Sequence, residues 1–210
     1  MIEHTFVINL KDSTDRWEKY KETPYIRWNA CSRNDVDVDT KWKMVSMYNY
    51  PIEKHLGRCA CYLSHKKLLE HIVENQLNDV LILEDDAVKC DDIPTDYSIE
   101  GITYLGGFAH HKKMTNNEKI SLDNMGKGIF KKGDFRILMT MSYIVPRWEI
   151  AEIILNFFNH KDRLRAIDIM YEDLPLPIYY KYPASFREDI CPSTIDSSKS
   201  KRATPYYMWE

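Results

Sequence analysis

The feature that most constrains the fold is a short apolar run that ends in three carboxylates. Residues 80–83 are apolar and mostly branched, with polar residues before them. A run of this length predicts a strand buried on both faces of a parallel sheet. Glu84, Asp85 and Asp86 follow directly. Because ligands in open α/β sheets bind beyond the carboxyl ends of the strands, the sequence predicts a functional site here.

The three carboxylates predict a bound cation. Like charges packed this closely repel by about 1 kcal/mol per pair in water, and by more where water is excluded. Oxygen ligands favour a hard cation such as Mg²⁺ or Mn²⁺. Glu84 and Asp86 are two residues apart, so an extended backbone would project both side chains to one side. A solvated acidic turn is the alternative, since acidic residues are common in turns.

Composition narrows the classes of protein to which this chain can belong. Its 210 residues, 44% of them hydrophobic, are enough for one sizeable core. The net charge of −3 provides no broad basic field, so we expect no nucleic-acid partner. No apolar run approaches the roughly 20 residues that span a bilayer, so we expect no membrane span. The N-terminus also lacks a signal-peptide core.

The cysteines indicate a reducing compartment. Their number is odd and their spacing scattered, which argues against a disulfide framework and predicts a cytoplasmic protein. The pair Cys59 and Cys61 lacks the spacing of a zinc pair, so we interpret both as buried or helix-start thiols. The five cysteines are Cys31, Cys59, Cys61, Cys90 and Cys191.

Periodicity and turn signals predict alternating strands and helices. The predicted strands span residues 5–10, 25–30, 80–83, 102–107, 135–145 and 178–182. The predicted helices span residues 12–21, 40–47, 58–77, 147–158 and 165–171. Residues 31–54 are predicted to form a long surface segment that includes the second helix. Residues 108–128 are predicted to form a polar flap. Residues 191–210 read as a tail or linker, after which a longer polypeptide would continue in a further domain.

Several polar residues leave two interpretations open. Arg16, near the start of the first helix, would either face a phosphate or form a surface ion pair with Asp12 or Glu18. The adjacent His110 and His111 suggest a metal site, but neighbouring residues on a strand face opposite ways, which favours a solvated loop.

Three segments in order carry a recognisable pattern. Val-Ile-Asn-Leu at residues 7–10 precedes Asp-Arg at 15–16; Gly-Arg-Cys-Ala-Cys-Tyr-Leu-Ser-His occupies residues 57–65; Leu-Glu-Asp-Asp-Ala occupies residues 83–87. Their order and spacing resemble glycosyltransferase family 25, which includes lipo-oligosaccharide and collagen sugar transferases and has the motifs INL…DR, G-x-x-G-C-x-L-S-H and LEDD. The resemblance covers roughly residues 5 to 190. Ala60 stands where the family has a second glycine. Some large DNA viruses encode similar compact transferases. The alternative that such a virus encodes this protein, which would then act in the host cytoplasm, stays open.

The resemblance implies a GT-A fold, in which one domain (residues 1–190) with a mostly parallel sheet between helices binds a nucleotide sugar and a divalent metal. It implies Asp86 as the metal ligand. Glu84 would lie toward the ribose or a metal-bound water and so belong to the metal site, and Asp85 would be support or a second ligand. Ser64 and His65 would lie in the first turns of the 58–77 helix, where a packing or capping role is the alternative to a functional one. The residues implied around the nucleotide are Asn9, Leu10, Arg16, Ser64, His65, Glu84 and Asp85.

The implied activity is metal-dependent transfer of a sugar, with a UDP-sugar as the expected donor, to a glycan or glycoprotein acceptor with inversion. An inverting enzyme needs a carboxylate base. The resemblance implies Asp168 for this role, with Glu172 and Asp173 behind it; a helix-surface carboxylate is the alternative for Asp168.

Three other functional classes compete with this interpretation. A non-catalytic sugar-nucleotide or glycan-binding module of the same fold is the main alternative. A phosphatase of the haloacid dehalogenase type needs Asp, then Asp two residues on, then usually Thr, which the order Glu84-Asp85-Asp86-Ala87-Val88 does not supply. A metal-dependent nuclease would lack a basic track for nucleic acid.

Overall fold

The apolar run forms β3 (Val80–Glu84), which lies inside a seven-stranded sheet. Residues 80 to 83 of this strand are fully buried, as predicted. The structure is a computed structural model, and it describes residues 1–45, 52–111, 127–133 and 135–189. The predicted tail at 191–210 therefore lies outside the described residues.

The other predicted strands and helices are present, and the described part of the chain adds four short strands that the sequence did not predict, at residues 87–89, 108–111, 128–131 and 186–188. The remaining strands are β1 (His4–Asn9), β2 (Ile26–Asn29), β4 (Ala87–Lys89), β5 (Ile102–Tyr104), β6 (Phe108–His111), β7 (Gly128–Lys131), β8 (Phe135–Leu138), β9 (Ser142–Val145), β10 (Ile178–Tyr182) and β11 (Phe186–Glu188). The helices are α1 (Thr14–Trp17), α2 (Val38–Val45), α3 (Ile52–Glu74), α4 (Trp148–Asn159) and α5 (Ile167–Tyr171), with single 3₁₀ turns at Glu18–Tyr20 and Arg33–Asp35.

The main sheet has the strand order β2-β1-β3-β9-β5-β10-β7. β1 pairs in parallel with both β2 and β3, and β10 pairs in parallel with β5. β9 and β7 run antiparallel to their neighbours, so five of the seven strands share one direction. The predicted α/β fold with a mostly parallel sheet between helices is confirmed, and it is compatible with a GT-A-like architecture.

Alternation along the strands divides the core between the two faces of the sheet. Val80 and Ile82 of β3 pack in the cluster that includes residues of α3 and α4, whereas Leu81 and Leu83 pack in the cluster on the opposite face. Because successive strand residues face opposite ways, Glu84 falls on the same face as Ile82. The register of β3 therefore directs the first carboxylate of the site toward α3.

α3 begins earlier and ends sooner than predicted. It starts at Ile52 rather than residue 58, since one glycine, Gly57, costs a helix only about 1 kcal/mol and does not stop it. It ends at Glu74 because Gln76 adopts φ +51 and the N–H of Leu77 donates to the carbonyl of Ile72. The placement of Ser64 and His65 in the first turns was therefore wrong: both lie in the middle of α3.

The prediction of a single strand at residues 135–145 is also wrong, because this segment forms two strands that lie in different sheets. β8 pairs with β6, whereas β9 lies between β3 and β5 in the main sheet. Residues 139–141 connect them, and Met139 has φ +70. β6 also contains His110 and His111, so the loop expected for this pair is a strand. Most of the predicted flap, residues 112–126, lies outside the described residues.

Two findings bear on the compositional predictions. Among the described residues, none of the helices combines the length and the apolar composition needed to cross a bilayer. Cys31, Cys59, Cys61 and Cys90 are free thiols, and Cys191 lies outside the described part of the chain.

Candidate active site

The backbone turns sharply directly after β3. Glu84 is the last residue of the strand, Asp85 and Asp86 form a turn, and β4 starts at Ala87. The carbonyl of Asp86 accepts a hydrogen bond from the N–H of Asp189 at 2.7 Å, just beyond the strand that pairs with β4. The extended backbone assumed for residues 84–86 was therefore wrong, because Asp85 and Asp86 form a turn and the chain leaves the main sheet to pair with β11.

Asp85 is neutralised within the protein. Its Oδ1 lies 2.5 Å from Nη1 of Arg16, and its Oδ2 accepts a hydrogen bond from Nδ2 of Asn9 at 2.8 Å. The side chains of Arg16 and Asp85 are each 10% exposed. The prediction that Arg16 forms a surface pair with Asp12 or Glu18 was thus wrong, because its partner is Asp85. With both oxygens engaged, Asp85 fixes the turn to the start of α1.

Asn9 and Leu10 hold this arrangement from the end of β1. Asn9 is fully buried, and its Oδ1 accepts hydrogen bonds from Arg27 Nε at 2.8 Å and Nη2 at 2.5 Å. The carbonyl of Leu10 accepts a further bond from Arg27 Nη2 at 3.0 Å. Sequence reasoning missed Arg27; the signal was a charged residue within a short predicted strand.

Glu84 is held by two side chains on its own face of the sheet. Its Oε1 accepts a hydrogen bond from Thr140 Oγ1 at 2.7 Å and lies 3.3 Å from His65 Nε2. Burial alone would raise the pKa of Glu84, but the hydrogen bond and charge of His65, the Thr140 hydroxyl and the charge of Arg16 together hold it below its ordinary value. Glu84 is therefore a carboxylate, and its side chain is 23% exposed.

His65 belongs to a buried chain of hydrogen bonds. Its Nδ1 lies 2.8 Å from the hydroxyl of Tyr143, and that hydroxyl lies 2.9 Å from the hydroxyl of Tyr171. His65 is buried, and both of its ring nitrogens have partners. The chain joins α3, β9 and α5, so it sets the position of His65 relative to Glu84.

The third carboxylate of this group, that of Asp86, is not fully satisfied by hydrogen bonds. Its Oδ1 is buried and has no hydrogen-bond partner among the described residues. Burial, together with the negative charges of Glu84, Asp85 and Glu188, raises the pKa of Asp86 to about 8. A buried carboxylate oxygen without a donor, beside other carboxylates, fits the oxygen donor set that a hard divalent cation takes.

Asp168 lies close to the same cluster, on α5. Its Oδ1 accepts a hydrogen bond from the N–H of Ile169 at 2.8 Å and its Oδ2 accepts one from the N–H of Met139 at 3.2 Å. Burial raises the pKa of Asp168, against these two hydrogen bonds, and the charge of Glu84 raises it further. A carboxyl with this environment is a stronger base than an exposed aspartate.

The connection at residues 139–141 brings the two regions together. Met139 donates to Asp168, Thr140 donates to Glu84, and the carbonyl of Met141 accepts from the N–H of Glu84 at 2.8 Å. Sequence reasoning missed this connection because the segment lacks glycine, proline, asparagine and aspartate, the usual turn signals.

Three predicted site residues have structural partners elsewhere. Glu172 forms a buried ion pair with Lys132 at 2.9 Å and accepts a hydrogen bond from the N–H of Ile137. Asp173 pairs with Arg165 at the surface. The Ser64 hydroxyl donates to the carbonyl of Ala60 and accepts from the N–H of Cys31. The structure does not bring these three side chains into the carboxylate cluster.

The two helix cysteines differ in their surroundings. Cys59 is fully buried, and its sulfur lies 3.4 Å from that of Met44. Cys61 is half-buried, and burial raises the pKa of its thiol well above the ordinary value, with smaller contributions from the charges of Glu84, Asp168 and Asp86. Cys61 is therefore part of the surroundings of the carboxylate cluster.

Comparison with known proteins agrees with the resemblance seen in the sequence. The model of a family described as "Glycosyltransferase family 25 (LPS biosynthesis protein)" matches residues 2–170. That range includes β1, α3, the turn after β3 and Asp168. No curated protein sequence matches the chain significantly.

Proposed function

The chain belongs to glycosyltransferase family 25, and on that premise we propose that it transfers a hexose from a nucleotide-diphosphate donor to a hydroxyl of a glycan or glycoprotein. A UDP-sugar is the first choice of donor. The proposed reaction depends on a metal and inverts the configuration of the anomeric carbon. The observation that carries the proposal is the buried Oδ1 of Asp86, which has no hydrogen-bond donor among the described residues. The "LPS biosynthesis" in the family's description favours a glycan as the acceptor.

Asp86 and Glu84 are the residues proposed to hold the cation. Asp86 contributes the unpartnered oxygen, and Glu84 is kept ionised by His65 and Thr140. A divalent cation bound there would supply positive charge for the departing diphosphate. Asp85 is proposed to support the turn and not to bind the metal, because its two oxygens already accept from Arg16 and Asn9.

Asp168 is proposed as the base. In an inverting transfer, the acceptor oxygen forms a bond to the anomeric carbon while the bond from that carbon to the phosphate oxygen breaks. The acceptor's proton passes to a carboxylate within hydrogen-bond reach. Two backbone N–H groups orient the Asp168 carboxylate, and burial raises its pKa above the ordinary value. Glu172 and Asp173 are weaker candidates, since each is already paired with a cationic side chain.

The test is a screen of nucleotide sugars by thermal unfolding, with Mn²⁺ and with EDTA. A donor present at a hundred times its Kd stabilises the folded state by about 2.7 kcal/mol, which raises the Tm of a protein of this size by about 5–10 °C. We expect this rise for one nucleotide class and only with the metal.

Turnover is then measured as hydrolysis of the stabilising donor and as transfer to glycan acceptors. Metal-dependent stabilisation with hydrolysis supports the transferase. Metal-dependent stabilisation without any turnover supports the binding module instead. A screen in which no nucleotide sugar stabilises the protein in either condition contradicts both functions.

A further inference from the structure

A second group of potential metal ligands adjoins Asp86 and differs from it in chemistry. The sulfur of Cys61, a ring nitrogen of His65 and a carboxylate oxygen of Glu84 all lie within 4.8 Å of one another. Cys61 and His65 are four residues apart on α3, so one face of the helix carries both. From this geometry we propose that Cys61, His65 and Glu84 form a site for a thiophilic divalent transition metal such as Zn²⁺, which shares Glu84 with the hard-cation site proposed at Asp86.

The donor set selects the class of metal. Thiolate and imidazole ligands favour Zn²⁺ and neighbouring transition metals, whereas Mg²⁺ and Ca²⁺ prefer oxygen alone. One sulfur, one nitrogen and one oxygen also leave the fourth position of a tetrahedral ion open, which is the composition of a reactive or exchangeable site and not of a closed structural one.

The spacing agrees with such an ion. Bond lengths of zinc to nitrogen and oxygen place the two ligand atoms about 3.4 Å apart in a tetrahedral site, and His65 Nε2 lies 3.3 Å from Glu84 Oε1. A sulfur ligand would lie about 3.6 Å from the nitrogen, against an upper limit of 4.8 Å in this structure. Binding would therefore require the sulfur and the nitrogen to approach each other by at most about 1.2 Å.

The surroundings already orient two of the three ligands. The Tyr143 hydroxyl fixes His65 through Nδ1 and leaves Nε2 directed at Glu84, as outer hydrogen bonds do for metal-binding histidines. The Thr140 hydroxyl likewise holds Glu84. Cys61 is half-buried and the Glu84 side chain is 23% exposed, so an ion can reach the site from solvent.

Local charge also favours a cation. Besides Glu84, the carboxylates of Asp86 and Asp168 act on the Cys61 thiol. Two arginines act on these carboxylates: Arg16 acts on Glu84 but is itself paired with Asp85, and Arg58 acts on Asp168. A bound divalent ion would offset this excess of negative charge.

The two proposed metal sites share Glu84, and this has a consequence for donor binding if the proposed function holds. A thiophilic ion that takes Glu84 draws this carboxylate away from the hard cation and the donor. Zn²⁺ would therefore inhibit Mn²⁺-dependent donor binding through Cys61.

The site is tested with Co²⁺ as a spectroscopic substitute for Zn²⁺, in reduced protein without nucleotide. Coordination by a thiolate gives a sulfur-to-cobalt charge-transfer absorption that oxygen ligands do not give. We expect this absorption to saturate at one Co²⁺ per chain and to persist in excess Mg²⁺. C61A should abolish it, whereas C59A, the matched change two residues away on the same helix, should retain it.

The outcomes are separable from those of the donor experiments. Thermal unfolding without metal establishes that C61A and C59A are folded. H65Q, if folded, should weaken Co²⁺ binding at least about tenfold, the smallest loss typical even for outer partners of a metal site. No charge-transfer absorption in the wild type, its survival in C61A, or its loss in C59A would each overturn the site. Because no donor or turnover is involved, the result stands whether or not the transferase proposal does.

Discussion

Arg16 and Asp85 are 69 residues apart in the chain, and 2.5 Å separates Nη1 of the arginine from Oδ1 of the aspartate. This pair attaches the start of α1 to the turn that carries Asp86. Both side chains are 10% exposed, so the pair lies in surroundings where an unpartnered charge is costly.

We expect R16M to destabilise the protein by about 3 kcal/mol, because the buried Asp85 charge loses its ion pair and keeps the hydrogen bond from Asn9. The measurement is urea unfolding in the absence of metal. E18Q is the control, since it breaks the exposed pair of Glu18 with Lys21 and should cost less than about 1 kcal/mol. Equal effects of the two variants would contradict the structural role of the Arg16 pair.

D86N should abolish metal-dependent donor binding while leaving the fold intact. The substitution replaces the unpartnered carboxylate by an amide of the same shape, and loss of a ligand should weaken binding by at least about a hundredfold, more than the loss of an outer partner does. Isothermal titration of the stabilising nucleotide with Mn²⁺ measures this change. D189N is the control, because Asp189 pairs at the surface with Lys19. A Kd for D86N equal to that of the wild type would count against Asp86 as a metal ligand.

The stability of the metal-free protein should depend on pH through Asp86. Its pKa is about 8 in the folded state and about 3.9 in an unfolded chain. Between these values the folded state holds more protons than the unfolded state, so the free energy of unfolding falls as pH rises from about 4 to about 8. D86N removes this contribution. Comparing urea unfolding at the two ends of this range in EDTA, we expect the wild type to lose more stability than D86N.

Mn²⁺ should reverse that loss at the upper end of the range, since a cation favours the ionised carboxylate. Identical pH dependence of the wild type and D86N would show that Asp86 does not titrate in this window.

D168N should lower kcat for transfer by about 10²- to 10⁴-fold, the usual contribution of a general base, with little change in donor Kd. Transfer kinetics measure kcat, and titration of the donor measures its Kd. D173N alters a surface pair with Arg165 and should retain near-normal kcat.

E172Q separates catalysis from stability in the same region. The side chains of Glu172 and Lys132 are 8% and 9% exposed, so loss of this pair should lower the free energy of unfolding by about 3 kcal/mol. Its kcat should nevertheless stay near that of the wild type. A large kcat loss in folded E172Q, with D168N unaffected, would transfer the role of base to Glu172.

The sequence by itself determined the features that depend on neighbouring residues. Four apolar residues before three carboxylates predicted the buried strand β3 and the position of the site, and helical spacing predicted the buried face of α4, including Ala151, Ile154 and Phe158. Burial of a face is a local property, because it follows from the period of the side chains along one element.

Only the tertiary structure decided which polar groups meet. The partner of Arg16, the contact of His65 with Glu84, and the connection at residues 139–141 that touches both Glu84 and Asp168 all join segments distant in the chain. Such partners depend on the order and register of strands in the sheet and on where α3 begins. Periodicity within one segment carries no information about these, since the same local pattern fits many pairings.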